Sequence, residues 1–233
     1  MKEEKRQLQL HFPGFRLSEP SETRSPRSRN GNTNKLDPKD TPFHNWYRFV
    51  LSFPPHLVRR YIDEFDLNGA HTLLDPFCGT GTTLVEAKLS GVPSVGIEAN
   101  PFAHFASSVK VDWSINPGKF DEAAQRAAAT ALNTLEKKGI DDNQIFDEDI
   151  ETSLLRKLNP EASKLLLSNS ISPLPLHKTL VLLDCVNEIC NEPYYRHALL
   201  ALAKALVFRI SNLKFGPEVG VRKPKSNSPV VAC

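Results

Sequence analysis

Residues Thr72 to Asn100 read TLLDPFCGTGTTLVEAKLSGVPSVGIEAN, and this stretch decides the fold. The apolar run Thr72, Leu73, Leu74 predicts a short strand that ends on the acid Asp75. A tight loop with Gly79 and Gly81 follows, and the spacing then predicts a helix over Thr82 to Leu89. A second strand is expected over Ser94 to Ile97, ending on Glu98. Strand, glycine loop, helix, strand and acid is the order of the first half of a doubly wound nucleotide-binding unit. Glu98 falls 23 residues after Asp75. That is near the roughly 20-residue spacing expected of an acid that holds ribose hydroxyls.

The loop's own chemistry narrows the nucleotide. A phosphate-binding P-loop needs lysine after its last glycine, whereas Gly81 is followed by Thr82 and Thr83. A dinucleotide fingerprint wants Gly or Ala where Leu84 stands. Asp75 sits at the strand tip where a pyrophosphate would lie, so it repels phosphate and attracts a cation. S-adenosylmethionine carries an ammonium and a sulfonium and no phosphate, which suits this loop. Asp75 can pair with the ammonium, loop N–H groups with the carboxylate, and Glu98 with both ribose hydroxyls. Gly81, lacking a side chain, is expected to let the backbone approach such a cofactor.

Upstream, Pro42 to Leu67 is aromatic, with Phe43, Trp46, Tyr47, Phe49, Phe53, Tyr61 and Phe65. Pro55 suits the first turn of a helix, and Leu57, Val58, Tyr61, Ile62 and Phe65 recur on one helical face. Earlier still, residues 14 to 41 are rich in Pro, Ser, Arg and Asn without hydrophobic periodicity, so residues 1–41 read as a flexible arm. Within it Arg24 to Lys35 holds four cations and no acid, a solvated tail or an arm that contacts phosphate. Downstream, Asn100-Pro101 reads as a helix N-cap followed by proline at the first helical position. Lining an adenine pocket is the other role open to Asn100. Val109 to Val111 is expected as a third strand ending at Asp112. His104, with no second ligand placed for it, reads as a surface or packing residue.

Past Asn116 the character changes. Pro117 to Lys138 is alanine-rich and helical, and Asp141 to Glu151 holds six acids without the calcium-loop pattern. Helices are expected over Glu151–Leu158, Glu161–Leu167, Leu176–Ile189 and Pro193–Leu213. Residues 216–233 read as a basic loop and tail with Arg222, Lys223 and Lys225. The 233 residues carry a net charge of +2, so a basic footprint for nucleic acid has to be local. The charged start Met1–Arg6, with no long apolar run after it, speaks against a signal peptide or a membrane span. Cys78, Cys185, Cys190 and Cys233 lack CxxC spacing and histidine partners, so no metal site is expected. They fit a reducing, cytoplasmic compartment, with Cys78 simply packing and Cys185 with Cys190 as small buried hydrophobes or a metal pair.

Over roughly residues 42 to 112 the chain resembles the S-adenosylmethionine-dependent amino-methyltransferases that act on adenine or cytosine in DNA, enzymes of restriction-modification. LLDPFCGTGTTLVEA, Leu73 to Ala87, looks like that family's cofactor loop, and GIEANPFA, Gly96 to Ala103, like its ribose-binding strand end. HNWYRFVLSFPPHLV, His44 to Val58, is similar to the segment that closes over the methionine part of the cofactor. The resemblance implies a Rossmann-like fold with Asp75, Phe77, Gly79, Gly81 and Glu98 at the cofactor, and Asn100 is a further candidate for that site. It implies a cofactor-binding domain over 42–116 and a helical insertion or recognition region over 117–215.

The family also uses a tetrapeptide Asp/Asn/Ser-Pro-Pro-aromatic. Its polar side chain and a proline carbonyl accept from the target amine, while the ring stacks on the flipped base. Here Pro54-Pro55 is framed by Phe53 and His56, Asn191-Glu192-Pro193-Tyr194 lacks a proline, and Ser228-Pro229 is followed by Val230. No catalytic residue is therefore assigned. The expectation is the cofactor-binding half of a DNA methyltransferase, an incomplete sheet finished by a second polypeptide or by missing sequence. An RNA amino-methyltransferase and a non-catalytic cofactor-binding subunit are the competing readings.

Overall fold

Pro54 and Pro55 end an extended stretch and open a helix, because proline's fixed φ is pre-set for the first turn. The computed structural model describes residues 36–49, 52–143, 152–189, 191–215 and 218–232. A 3-10 turn, Pro38–Asp40, leads into the short α1 (Thr41–His44), and α2 spans Pro55–Glu64. Then come β1 (Leu73–Asp75), α3 (Thr82–Leu89), β2 (Ser94–Gly96) and α4 (Pro101–Lys110). Helices α5 (Pro117–Glu136), α6 (Pro160–Lys164), α7 (Pro173–Asn187) and α8 (Tyr195–Ala205) follow, with a π-turn over Leu206–Ile210. β3 (Leu213–Phe215) and β4 (Val219–Val221) close the described order.

β1 and β2 run parallel, with Leu73 opposite Ser94, Leu74 opposite Val95 and Asp75 opposite Gly96. The crossover between them is the loop and α3, as the reading of Thr72–Asn100 predicts. Side chains alternate across a strand, and the two faces of this sheet differ. One face packs on the α2–α3 layer, where Val58, Ile62, Ala87 and Val92 form a core with Leu73 against it. Leu74, Val95 and Ile97 point the other way and are half exposed or more. Gly96 is small for a packing reason, since an added Cβ would lie 2.7 Å from the Leu84 side chain and 2.9 Å from Cys78 Sγ.

A second core joins Tyr47, Ala106 and Val109 of α4 to Leu200 of α8. The third lies between α5 and α7, where Ala127, Ala131, Leu135, Val181 and Cys185 are buried. Alanine at four-residue spacing on α5 lets the two helices approach closely, which explains that helix's composition.

Several expectations change. Val109 to Val111 is not a strand: Val109 and Lys110 are the last turn of α4, and Val109 is fully buried in the second core. The residue 151–158 helix reduces to a 3-10 turn over Thr152–Leu154. The last long helix ends at Ala205, and its continuation is the π-turn, after which β3 and β4 form an antiparallel hairpin. Residues 218–232 are accordingly no loose tail. Arg222 N donates to Asn212 O at 2.7 Å, and the Val230, Val231 and Ala232 amides all donate to Asp142. The arm expected over 1–41 also ends earlier, because Asp40 is buried and paired with Arg59 of α2. The basic stretch Arg24–Lys35, most of the acidic run Asp141–Glu151, and Cys190 and Cys233 lie outside the described residues.

Candidate functional site

β1 ends on Asp75, and the chain passes through Pro76, Phe77, Cys78, Gly79, Thr80 and Gly81 before α3 begins at Thr82. Gly79 has φ +53° and Gly81 φ +83°, left-handed values that L side chains adopt only with strain. Asp75 Oδ1 accepts from the Phe77 amide at 3.1 Å, which bends the chain away from the sheet. Ile97 N donates to Asp75 O, and Cys78 N to Ile97 O, so the loop stays stitched to the end of β2. Asp75 and Glu98 thereby emerge side by side at the carboxyl edge of two parallel strands, where ligands of open α/β sheets bind.

Glu98 is more than an exposed acid. Its Oε2 accepts from Gly79 N at 2.8 Å and its Oε1 from Asn100 N at 2.8 Å. Each carboxylate oxygen keeps a second lone pair for a ligand hydroxyl. Asn100 caps α4, with Oδ1 accepting from Phe102 N and Ala103 N at 3.0 Å each. Capping thus occupies the oxygen of Asn100. Phe77 stands out from the loop, 87% exposed. Cys78 packs beneath it, and burial pushes its thiol pKa up, with the charges of Asp75 and Glu98 adding to the rise against a lowering hydrogen bond with Ser107. A thiol held protonated is no nucleophile.

The two glycines play different parts. A Cβ on Gly81 would sit 2.8 Å from Ser107 Cβ and 3.1 Å from its Cα, so this glycine lets the loop close on α4. A Cβ on Gly79 would meet nothing within 4 Å. Within the chain, Gly81 is thus needed for packing on α4, while Gly79 faces open space. Gly81→Val is expected to destabilise the protein itself, by about 2 kcal/mol or more from overpacking and φ strain together. Gly79→Ala should cost about 1 kcal/mol from strain alone. Urea denaturation of both variants checks the order, and equal losses would contradict this account.

Two buried polar groups beneath the site escaped the reading of the sequence. Glu86, on α3 and 1% exposed, accepts from Arg59 Nη1 at 2.8 Å and lies 2.5 Å from His44 Nε2. Arg59 also makes a fork with Asp40 at 2.9 and 3.0 Å, so α1 and α2 are pinned to the helix that follows the glycine loop. Lys110 is also 1% exposed and sits below the loop. A signal was present for both: each is a charge at a position where the helical period calls for an apolar residue. The near-miss tetrapeptide is elsewhere. Tyr194 is buried against Phe120 at the start of α8, so its ring cannot stack on a base. Among the described residues no cluster of His, Cys, Asp and Glu is arranged to hold a metal, and no helix is long and apolar enough to cross a membrane.

Helices with small sheets around an acid–glycine–glycine–acid loop fit an α/β methyltransferase. Residues 64–197, more than half of the chain, match the family described as RMKL-like, methyltransferase domain, and the chain belongs to that family of methyltransferases. Residues 16–107, less than half of the chain, also match the family described as DNA methylase. The chain is 36% identical over 101 residues to the type II methyltransferase M.BsoBI of Geobacillus stearothermophilus, covering 43% of this chain and 20% of that protein. It is 34% identical over 68 residues to the type II methyltransferase M.MjaII of Methanocaldococcus jannaschii, covering 29% and 13%. M.AvaI of a Nostoc species, also a type II methyltransferase, is 33% identical over 63 residues, covering 27% and 13%. The chain thus spans a fifth or less of the length of these relatives. No solved structure gives a significant match.

Proposed function

We propose that this chain is the S-adenosylmethionine-binding part of a DNA methyltransferase that modifies an exocyclic amino group of adenine or cytosine. The observation that carries this is the geometry of one loop: Asp75 and Glu98 flank it at the strand ends, and Gly79 leaves its outer side open. Asp75 takes the cofactor's ammonium, Phe77 and the Gly79 backbone border its methionine part, and Glu98 accepts from the ribose hydroxyls. Asn100 lies at the adenine side through its backbone, and Gly81 shapes the loop from beneath. Residues 42–116 then form a Rossmann-like cofactor region, and 117–215 a helical recognition region laid on it.

The target amine needs an acceptor and a stacking ring, and the sequence holds no Asp/Asn/Ser-Pro-Pro-aromatic tetrapeptide to supply both. The Pro-Pro-aromatic element and the remaining strands are assigned to a second polypeptide or to sequence beyond this chain. Support comes from the sheet. A parallel sheet is stable when covered on both faces, yet Leu74, Val95 and Ile97 are bare. Beside β1 a groove of about 450 Å³ is lined by Phe53, Leu57, Tyr61, Phe65, Leu67 and Leu73. Phe53, Tyr61 and Phe65 are each more than 40% exposed there, an apolar surface of the kind a partner covers.

Calorimetry with S-adenosylmethionine tests the cofactor assignment. Asp75→Ala and Glu98→Ala each delete a charge-assisted hydrogen bond of roughly 1.5–3 kcal/mol, so affinity should fall about 10- to 100-fold. Unchanged affinity in both variants removes the assignment.

A further inference from the structure

Lys110 is the last residue of α4, and its ammonium is buried below the glycine loop. It donates to Thr80 O at 2.8 Å and to Tyr47 O at 3.3 Å. Thr80 lies between the two left-handed glycines and is buried, and its carbonyl accepts from the buried Lys110 ammonium. A buried carbonyl without a donor costs about 1–3 kcal/mol, and Lys110 supplies that donor from another element. The Tyr47 carbonyl belongs to the aromatic segment 43–49, which packs through Tyr47 on Phe102 of α4 at 4.9 Å between ring centroids. One side chain therefore touches both the loop and the segment that precedes it.

Burial, with a smaller contribution from Arg48, pushes the Lys110 pKa down to about 8. The fold thus works against the ammonium it contains, and a methionine of similar length would fill the same space without that penalty. What methionine cannot do is hold two carbonyls from different segments.

We propose that Lys110 is a positioning residue that fixes the Thr80 peptide of the glycine loop and ties the aromatic segment 43–49 to it, so that loop and segment move as one. Insofar as it concerns cofactor affinity, this rests on the reading of the loop as a cofactor site. The positioning itself does not, and it is measurable in the unliganded protein.

The test is amide hydrogen exchange on the unliganded chain, followed by calorimetry with S-adenosylhomocysteine, for the wild type, Lys110→Met, Lys110→Arg and Lys88→Met. Lys88 Nζ also donates to a carbonyl, Val111 O at 2.6 Å, but on the surface and away from the loop, which makes it the control. In Lys110→Met the amides of 78–82 and 46–48 should exchange about 10-fold faster or more, with α5 and α7 unchanged. Affinity should fall on the order of 10-fold, Lys110→Arg should restore part of both, and Lys88→Met should alter neither. Loop exchange at the wild-type rate in Lys110→Met overturns the proposal, as does acceleration spread evenly through the helices. If Lys110→Met does not fold, Lys110→Arg decides: protection of both segments close to wild type supports the proposal, and its loss overturns it. If the wild type binds no S-adenosylhomocysteine, the cofactor reading fails while the exchange result still decides the role of Lys110.

Discussion

DNA incubated with this chain and labelled S-adenosylmethionine is expected to stay unlabelled until a polypeptide carrying the Pro-Pro-aromatic element is added. On the proposed division of the active site, the effect is all or none. This chain carries the acids and the glycine loop but no Asp/Asn/Ser-Pro-Pro-aromatic tetrapeptide, the element whose polar side chain and ring would hold the target amine and the extruded base. The half-exposed sheet face and the groove beside β1 are the surfaces on which such a polypeptide is proposed to fold. Mixing the two parts, or expressing them as one chain, should give transfer to DNA and protect Leu74, Val95 and Ile97 from solvent. Strong methylation by residues 1–233 alone would sink the idea, and transfer to RNA with none to DNA would redirect the substrate.

Glu86→Ala should be the most damaging single substitution on the covered side of the loop. Glu86 has no contact with water and joins Arg59 and His44 at 2.8 and 2.5 Å. Removing it leaves a buried histidine and an arginine short of partners, and breaking a buried pair costs about 3–5 kcal/mol. Arg59 is 30% exposed and keeps its fork with Asp40, which points to the lower end of that range. Thermal melts of Glu86→Ala beside Glu64→Ala give the comparison. Glu64 lies 3.7 Å from Arg60 on the exposed side of α2, and losing it should change stability by about 0.5 kcal/mol at most. Two equal melting curves would show that the network does not anchor α1 and α2.

Thr72 to Asn100 was legible because its punctuation is local. Asp75, Gly79, Gly81 and the Asn100-Pro101 pair act through their own backbone geometry, which a sequence displays directly. Val109 to Val111 misled for the opposite reason. Its β-branched residues suggest a strand, but Val109 is drawn into the last turn of α4 by contacts with Tyr47 and Leu200, far away in sequence. The β3–β4 hairpin was hidden because three-residue strands are too short for alternation to show. Lys110 and Glu86 were passed over because a charge within a helix is usually at the surface, and only the folded chain reveals which carbonyls and cations it meets. Gly81 shows a subtler gap. Its need for glycine is plain from the loop, yet whether the missing side chain serves a ligand or Ser107 depends on where α4 lies.

Glu98 holds Gly79 and the start of α4 at once. On the proposed cofactor reading, a ribose arriving there meets an acid already oriented by two amides, so little conformational entropy is lost at that end of the ligand. Selectivity between methylated and demethylated cofactor then falls to the far end, near Asp75 and the exposed Phe77. On that reading the acid at the end of β2 acts as a fixed socket, and the exposed loop tip as the part left to discriminate.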